Sequence, residues 1–357
     1  MTNVDEEWLN FQENGVYKDF SENIDCDEGK NPKCSDIYIS TQTKIAFLNQ
    51  SVDLKNIFWN LKITPYHIPK DCIIKKSMKI NCVNPEEVVE LEKLIKENNI
   101  QFDIIQQVNN PTARKVKFKD IRKISSGYCK KDLISYRKKK KGAFYNCFAL
   151  ILRIKYQDIY KEVHIKVFNT GKLEIPGIQK DELLKPTFKY LLNILQPYFE
   201  KPLSIDEEGI DTVLINSNFT CNFYIDRNIL YNKLKYKYNL HLLFDPCSYP
   251  GIQCKFYYNK NKKHQNGICE CEKRCDRDTK KNLKKINKCK EISFMIFRTG
   301  SVLIVGHCDI MELHIIYEYV KKILIEEYAE IHINGNPASK KQKNKKKRLK
   351  TLNIKFT

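Results

Sequence analysis

The feature that most restricts what this chain can fold into is that it matches itself. "VFNTGKLEIPG" (Val167 to Gly177) and "IFRTGSVLIVG" (Ile296 to Gly306) carry Phe, Thr, Gly, an aliphatic residue, Ile and Gly at the same offsets. Upstream, "NIFWN" (Asn56 to Asn60) pairs with "NILYN" (Asn228 to Asn232), each after an alternating stretch ending in Phe47 or Phe223. Downstream, both copies run into helical spacing: Leu183, Leu184, Phe188, Leu191, Leu192 and Leu195 in one, Ile316, Tyr319, Val320, Ile323 and Leu324 in the other. Self-similarity defines the folding unit, so the order strand, short helix, strands, long helix occurs twice. In the second copy "FYYN" and "EISFMIFRTGSVLIVG" read as three strands, the last two joined by a tight turn at Thr299-Gly300. The first copy has "FALILRIKYQDIYKEVHIKVFNTGKLEI" in that place. Each copy is thus a β-meander with one helix before it and one after, an α+β unit whose long helix buries one sheet face.

Charge is distributed unevenly over this framework. The 357 residues carry a net +20, while 42% hydrophobic and 11% aromatic content excludes wholesale disorder. Residues 1–34 form an acidic arm of net −6. "RKKKK" at Arg137 to Lys141, the segment Lys255 to Lys290 and the run Lys340 to Lys350 together carry +22, which leaves only +4 on the patterned body. A surplus of this kind speaks for nucleic acid or an anionic surface as partner and says nothing of fold. The expected organisation is an arm at 1–34, a first repeat at 35–200 interrupted at about 81–142, a second at 208–333 interrupted at about 257–290, and a basic tail at 334–357.

Apolar runs such as "SVLIVGHC" fall far short of the ~20 residues a membrane-spanning helix needs. The N-terminus has neither a basic nor an apolar leader region, which argues against secretion, so the 14 Cys read first as buried small side chains, metal ligands or thiols. Cys269, Cys271, Cys275 and Cys289 stand as C-x-C-x3-C-x13-C within the second interruption. Four thiols so close suit a closed, tetrahedral, structural zinc site, with unliganded thiols or two disulfides as alternatives and His264 as a substitute ligand. In the first interruption "NPEEVVELEKLIKENN" predicts a helix capped by Asn84 with Pro85 at its first position, packed on the protein rather than on a ligand. No P-loop, HExxH or nucleophile-base pattern is present, so an enzyme is not expected.

These residues resemble the TATA-box-binding protein (TBP) family, most of all the divergent TBP-like proteins of large cytoplasmic DNA viruses. The family's motifs are "DLK", "IFxSGK…TG" and "YEPELFPGLIYRM"; here they stand as "VDLKNIF" (Val52 to Phe58), "VFNTGK" (Val167), "FDPCSYPGIQCKF" (Phe244) and "IFRTG" (Ile296). The resemblance covers roughly Ile37 to Ile80 and Ala143 to Ala329. It implies a TBP-like two-repeat saddle, a curved antiparallel sheet with helices on the convex face, plus two insertions. Its concave face would lie on the DNA minor groove with aromatic wedges unstacking base steps.

Carried over by motif, the wedges fall on Phe168, Phe297 and Tyr249, and the fourth belongs near Lys70 to Cys72, where no aromatic residue stands. Asn216 is the candidate for reading base edges, with Asn218 two residues on along the same strand face. Lys172 and Lys255 are candidates for phosphate contacts. The partners implied are double-stranded DNA and an RNA polymerase or transcription factor IIB-like protein, with Asp245 keeping one acidic docking position and Cys247 replacing the other. The setting implied is intracellular: a viral factory in host cytoplasm or nucleus, or the particle. The leading expectation is a transcription initiation factor, and the alternative is a TBP-fold interaction platform that does not bend DNA.

Overall fold

A computed structural model describes residues 32–134, 145–206, 208–271, 275 and 289–333. The run Arg137 to Lys141, the basic tail, nearly all of the acidic arm and most of the basic stretch before Cys289 lie outside the described residues.

The first repeat begins with β1 (Tyr38–Phe47) and the short helix α1 (Leu54–Asn60), started by Asp53, whose carboxylate accepts from the Asn56 N–H. β2 (Cys72–Cys82) follows, then an inserted helix α2 (Pro85–Glu97), a hairpin β3 (Gln101–Asn109) and β4 (Phe118–Gly127), and a turn of helix α3 (Lys130–Ile134). The meander β5 (Cys147–Tyr156), β6 (Ile159–Phe168), β7 (Lys172–Ile178) leads into α4 (Leu184–Leu195). The second repeat runs β8 (Asp211–Thr220), α5 (Arg227–Asn232), β9 (His241–Leu243), β10 (Ile252–Asn259), β11 (Cys289–Ile296), β12 (Ser301–Gly306), α6 (Ile310–Glu326) and α7 (Tyr328–Ile331). α5 starts on Asp226 as α1 does on Asp53, so the repeat extends to its caps. Asp309 and Glu312 close a capping box on α6.

The chain divides into two compact units. One contains residues 42–213, the other the start of β1 with residues 214–333. In the first, the antiparallel strands run β3-β4-β2-β5-β6-β7-β1. In the second the order outward is β8-β12-β11-β10-β9. Setting aside the β3–β4 hairpin, the two halves have the same order, and the α+β class is as the repeat implied.

Each unit buries its main core on one sheet face, and a small cluster covers part of the other: Cys72, Ile74, Cys129 and Ile151 in the first, Tyr257 with Cys275 and Cys289 in the second. In the first, Leu150, Leu152, Ile154, Ile165, Val167 and Leu173 pack with Ile57 and Phe58 of α1 and with Phe188, Leu191 and Leu195 of α4. In the second, Ile215, Phe219, Phe256, Phe294 and Ile304 meet Leu230 of α5 and Leu313, Ile316, Val320 and Leu324 of α6. Each such side chain stabilises its unit by about 1.5–3 kcal/mol. Inserted α2 is capped by Asn84, carries Pro85 in its first turn and buries Leu91 and Ile95 with the first core, so it packs on protein. The turns between the last two strands need glycine: Gly171 and Gly300 sit at φ +82° and +79°, and a Cβ there would meet the Gln50 and Phe223 carbonyl oxygens at 2.5 and 2.3 Å.

Candidate nucleic-acid interface and metal centre

The face opposite the helices is the candidate interface. In the second unit strand alternation puts Asn216, Asn218 and Thr220 of β8 on it, beside Ser301, Leu303 and Val305 of β12, Ser293 and Met295 of β11, and Gln253 and Lys255 of β10. The neighbours Ile215, Ser217 and Phe219 point into the core side. Asn216 Nδ2 donates to Thr41 Oγ1 at 3.0 Å and Asn218 Nδ2 to Ser40 Oγ at 3.2 Å. Their amide oxygens accept nothing from those hydroxyls, so an acceptor remains on each. Lys255 Nζ lies 3.4 Å from Glu291 Oε1, so it is ion-paired within the sheet.

One corner of this face is aromatic. Tyr249 and Phe297 meet at 5.9 Å between centroids, edge to face, and Gly251 lies under both. A Cβ at Gly251 would stand 3.0 Å from Phe297 Cε1 and 3.1 Å from Tyr249 Cε1. The Tyr249 hydroxyl donates to Met295 Sδ at 3.4 Å, and burial pushes its pKa up. Phe297 is only 6% exposed, whereas Phe168 at the equivalent turn is half-buried, with Lys172 Nζ 5.6 Å above its ring.

The ladder registers correct the position of the fourth ring. Ile252 pairs with Ile296, the residue before Phe297; in the first unit Phe148 pairs with Val167, the residue before Phe168. Tyr249 stands three residues before Ile252, and three before Phe148 stands Tyr145. The counterpart of Tyr249 is therefore Tyr145 at the start of β5, not a residue near Lys70 to Cys72, which lie at the start of β2. Tyr145 is 46% exposed and its ring carries Lys79 Nζ at 3.7 Å from the centroid. The insertion between β2 and β5 hid it, because motif spacing alone placed the position before β2 rather than after the interruption.

Cys269, Cys271, Cys275 and Cys289 converge, with all four Sγ atoms within 4.8 Å of one another. Cys271 Sγ and Cys289 Sγ are 3.7 Å apart, close to the edge of about 3.8 Å that a tetrahedron with metal–sulfur bonds of ~2.3 Å requires. Burial opposes ionisation of Cys269, but backbone N–H groups of Cys275 and Cys271 outweigh it and hold this thiol below its ordinary value. The donor set fits a thiolate-binding metal. His264 lies elsewhere, with Tyr258, Tyr319 and Lys321 around a groove beside α6. The thiols pack on Tyr257, which is 2% exposed and lies on the same sheet face as Lys255, so the knuckle covers the far end of that face.

No protein-family model matches the chain. Among curated proteins it matches the TATA-box-binding protein-like protein of Acanthamoeba polyphaga mimivirus, 23% identical over 216 residues, which is 56% of this chain and 54% of that relative. The chain is similar to a viral TBP-like protein. The match spans about half the relative's length. Among solved structures, Methanococcus jannaschii TBP is matched over 82% of this chain and 99% of that one, at 12% identity and a TM-score of 0.38. No helix among the described residues is long and apolar enough to cross a membrane.

Proposed function

We propose that this chain is a TBP-like, non-enzymatic transcription initiation factor that lays the open faces of its two units on the minor groove of AT-rich promoter DNA. The observation that carries the reading is a pair of aromatic positions repeated at one register in both units, Tyr249 and Phe297 in the second, Tyr145 and Phe168 in the first. The similarity to a viral TBP-like protein supports it. Asn216 and Asn218 would turn the second N–H of each side-chain amide to base edges, because in the minor groove A·T pairs present only acceptors. Lys172 would contact phosphate, and so would Lys255 once it exchanges Glu291 for the backbone. Recruitment of an RNA polymerase or of a transcription factor IIB-like protein would follow from the bound state.

The tetracysteine cluster is read as a structural zinc site. Zinc would be held by all four thiolates, leaving no open position for catalysis, and would tie Cys269, Cys271 and Cys275 to Cys289 at the start of β11, beside Tyr257.

The test is fluorescence energy transfer across an end-labelled AT-rich duplex. The wild type should bind and raise transfer by bending, while Phe297→Ala and Tyr145→Ala should each reduce the bend. Tight binding without any change in transfer would instead support the platform reading. One observation favours that alternative: Phe297 is covered by Tyr249 in the free protein, so it has to emerge before it can act as a wedge.

A further inference from the structure

The hairpin β3–β4 is an addition to the repeat, and its register gives it a role. β4 pairs with β2 so that Ser125 stands opposite Ser77, Lys123 opposite Lys79 and Gly127 opposite Lys75. Alternation assigns these residues to one side of the sheet, because Met78, Ile80 and Ile124 between them are buried with the core on the side of α2. The side they occupy is the open face that carries Phe168 and Lys172. β2 in turn pairs with β5, Ser77 opposite Ala149, so the row continues without a break into the strand headed by Tyr145.

Two features give this row a chemistry. Lysines directly opposite on neighbouring strands repel, which is destabilising in a sheet. Asp103 of β3, opposite Lys123, offsets one of the two charges, and the Tyr145 ring holds Lys79 at 3.7 Å. Beside them Ser77, Ser125 and Ala149 are small enough to let a backbone lie close. A row of this kind suits a phosphodiester, which meets both ammoniums and removes their repulsion.

We infer that the inserted hairpin lengthens the duplex-contacting face of the 42–213 unit, with Lys79 and Lys123 binding DNA phosphates beside Tyr145. This rests on the minor-groove reading above. Two added strands at ~4.8 Å each extend the face by about 10 Å, roughly three base pairs at 3.4 Å per step.

The experiment is binding of the full chain to a fluorescein-labelled 30-base-pair AT-rich duplex across a salt series. Each phosphate neutralised contributes about 0.9 to the slope of log K against log salt, so Lys79→Ala/Lys123→Ala should shallow it by about 1.8. Lys79→Arg/Lys123→Arg keeps the charges and should restore it, which separates phosphate binding from a folding defect. Trimming about three base pairs from one end should weaken the wild type and leave the alanine pair unaffected. An unchanged slope in a variant that still binds would overturn this inference and leave the minor-groove reading standing. If the wild type binds no duplex, both fall.

Discussion

Glu327 offers the clearest quantitative test of how the second unit is held together. Its carboxylate is 2% exposed just past the end of α6 and receives three donors from the segment after α5: Lys233 at 2.6 Å, Lys237 at 2.5 Å and the Tyr238 hydroxyl at 2.6 Å. Burial alone would raise its pKa, but these donors outweigh burial and hold it at about 2, against 4.5 for the free group. The depression corresponds to stability on the order of 3 kcal/mol. Because the folded value is depressed, the contribution is complete above pH 4.5 and fades as pH falls toward 2; at pH 3 less than half of it remains. Glu327→Gln keeps the shape and removes the charge, so it should destabilise the unit by about 3 kcal/mol at pH 7 and by less than half of that at pH 3. The assay is urea unfolding read by pulsed hydrogen exchange on peptides from residues 310–331, which reports this unit by itself. A loss below 0.5 kcal/mol at pH 7, or an equal loss at both pH values, would refute the argument.

Other expectations follow from the same geometry. Gly251→Ala should push a Cβ into the Tyr249 and Phe297 rings and cost about 1–3 kcal/mol by overpacking, visible in thermal melts and as a shift of the Phe297 ring resonances. Asn216→Ala should change stability by no more than about 1.5 kcal/mol, since it loses one hydrogen bond to Thr41 at a half-buried site, yet weaken binding to AT-rich duplex; equal binding would remove Asn216 from the interface. Purified protein should contain one zinc per chain by mass spectrometry, lost in Cys269→Ser/Cys275→Ser, with Tyr257 becoming accessible to acrylamide. Lys76, whose ammonium donates to the Phe58 and Leu61 carbonyls at 2.7 and 2.8 Å, has its pKa lowered by burial to about 8. The folded chain therefore sheds this proton before the unfolded one, and wild type should gain stability relative to Lys76→Met as pH rises from 8 to 10.5.

The legible parts of this fold were those that repetition or periodicity writes twice. Gly171 and Gly300 mark the same turn, the short helices recur as "NIFWN" and "NILYN", and the apolar positions of α4 and α6 recur at helical spacing. Cross-strand register is written nowhere in one dimension. It placed Tyr145, and it also breaks "LRIKYQDIYKEV" into two strands at Gln157 and Asp158, whose positive φ values of 48° and 60° make the turn. The strand β3 went unread because "QFDIIQQVN" lies at a sheet edge with nearly every residue exposed, so burial imposed no alternation on it. Lys76 was equally invisible, since a buried lysine capping carbonyls looks like any other lysine in a strand.

The same registers show how far each open face extends. With Ile252 matched to Phe148, Tyr257 of the second unit is matched to Arg153 of the first. Tyr257 is closed off by the four thiols. Arg153 is 7% exposed, its guanidinium over the Tyr66 ring at 4.3 Å and donating to the Tyr66 and Ile68 carbonyls. Two unrelated devices thus end the open face at one rung in both units, a cysteine knuckle in one and an arginine-locked loop in the other. Between that rung and the aromatic positions lie only a few residues per strand, Gln253 and Lys255 on β10 and Ala149 on β5, since Ile151 is buried with Cys72, Ile74 and Cys129. A surface that short needs lateral strands to gain contact area, and the hairpin β3–β4 supplies them on one side. The two units are therefore unequal: Lys255 is already paired with Glu291, whereas Lys79 rests on the Tyr145 ring, so on the minor-groove reading proposed above Lys79→Ala should cost more affinity for duplex DNA than Lys255→Ala.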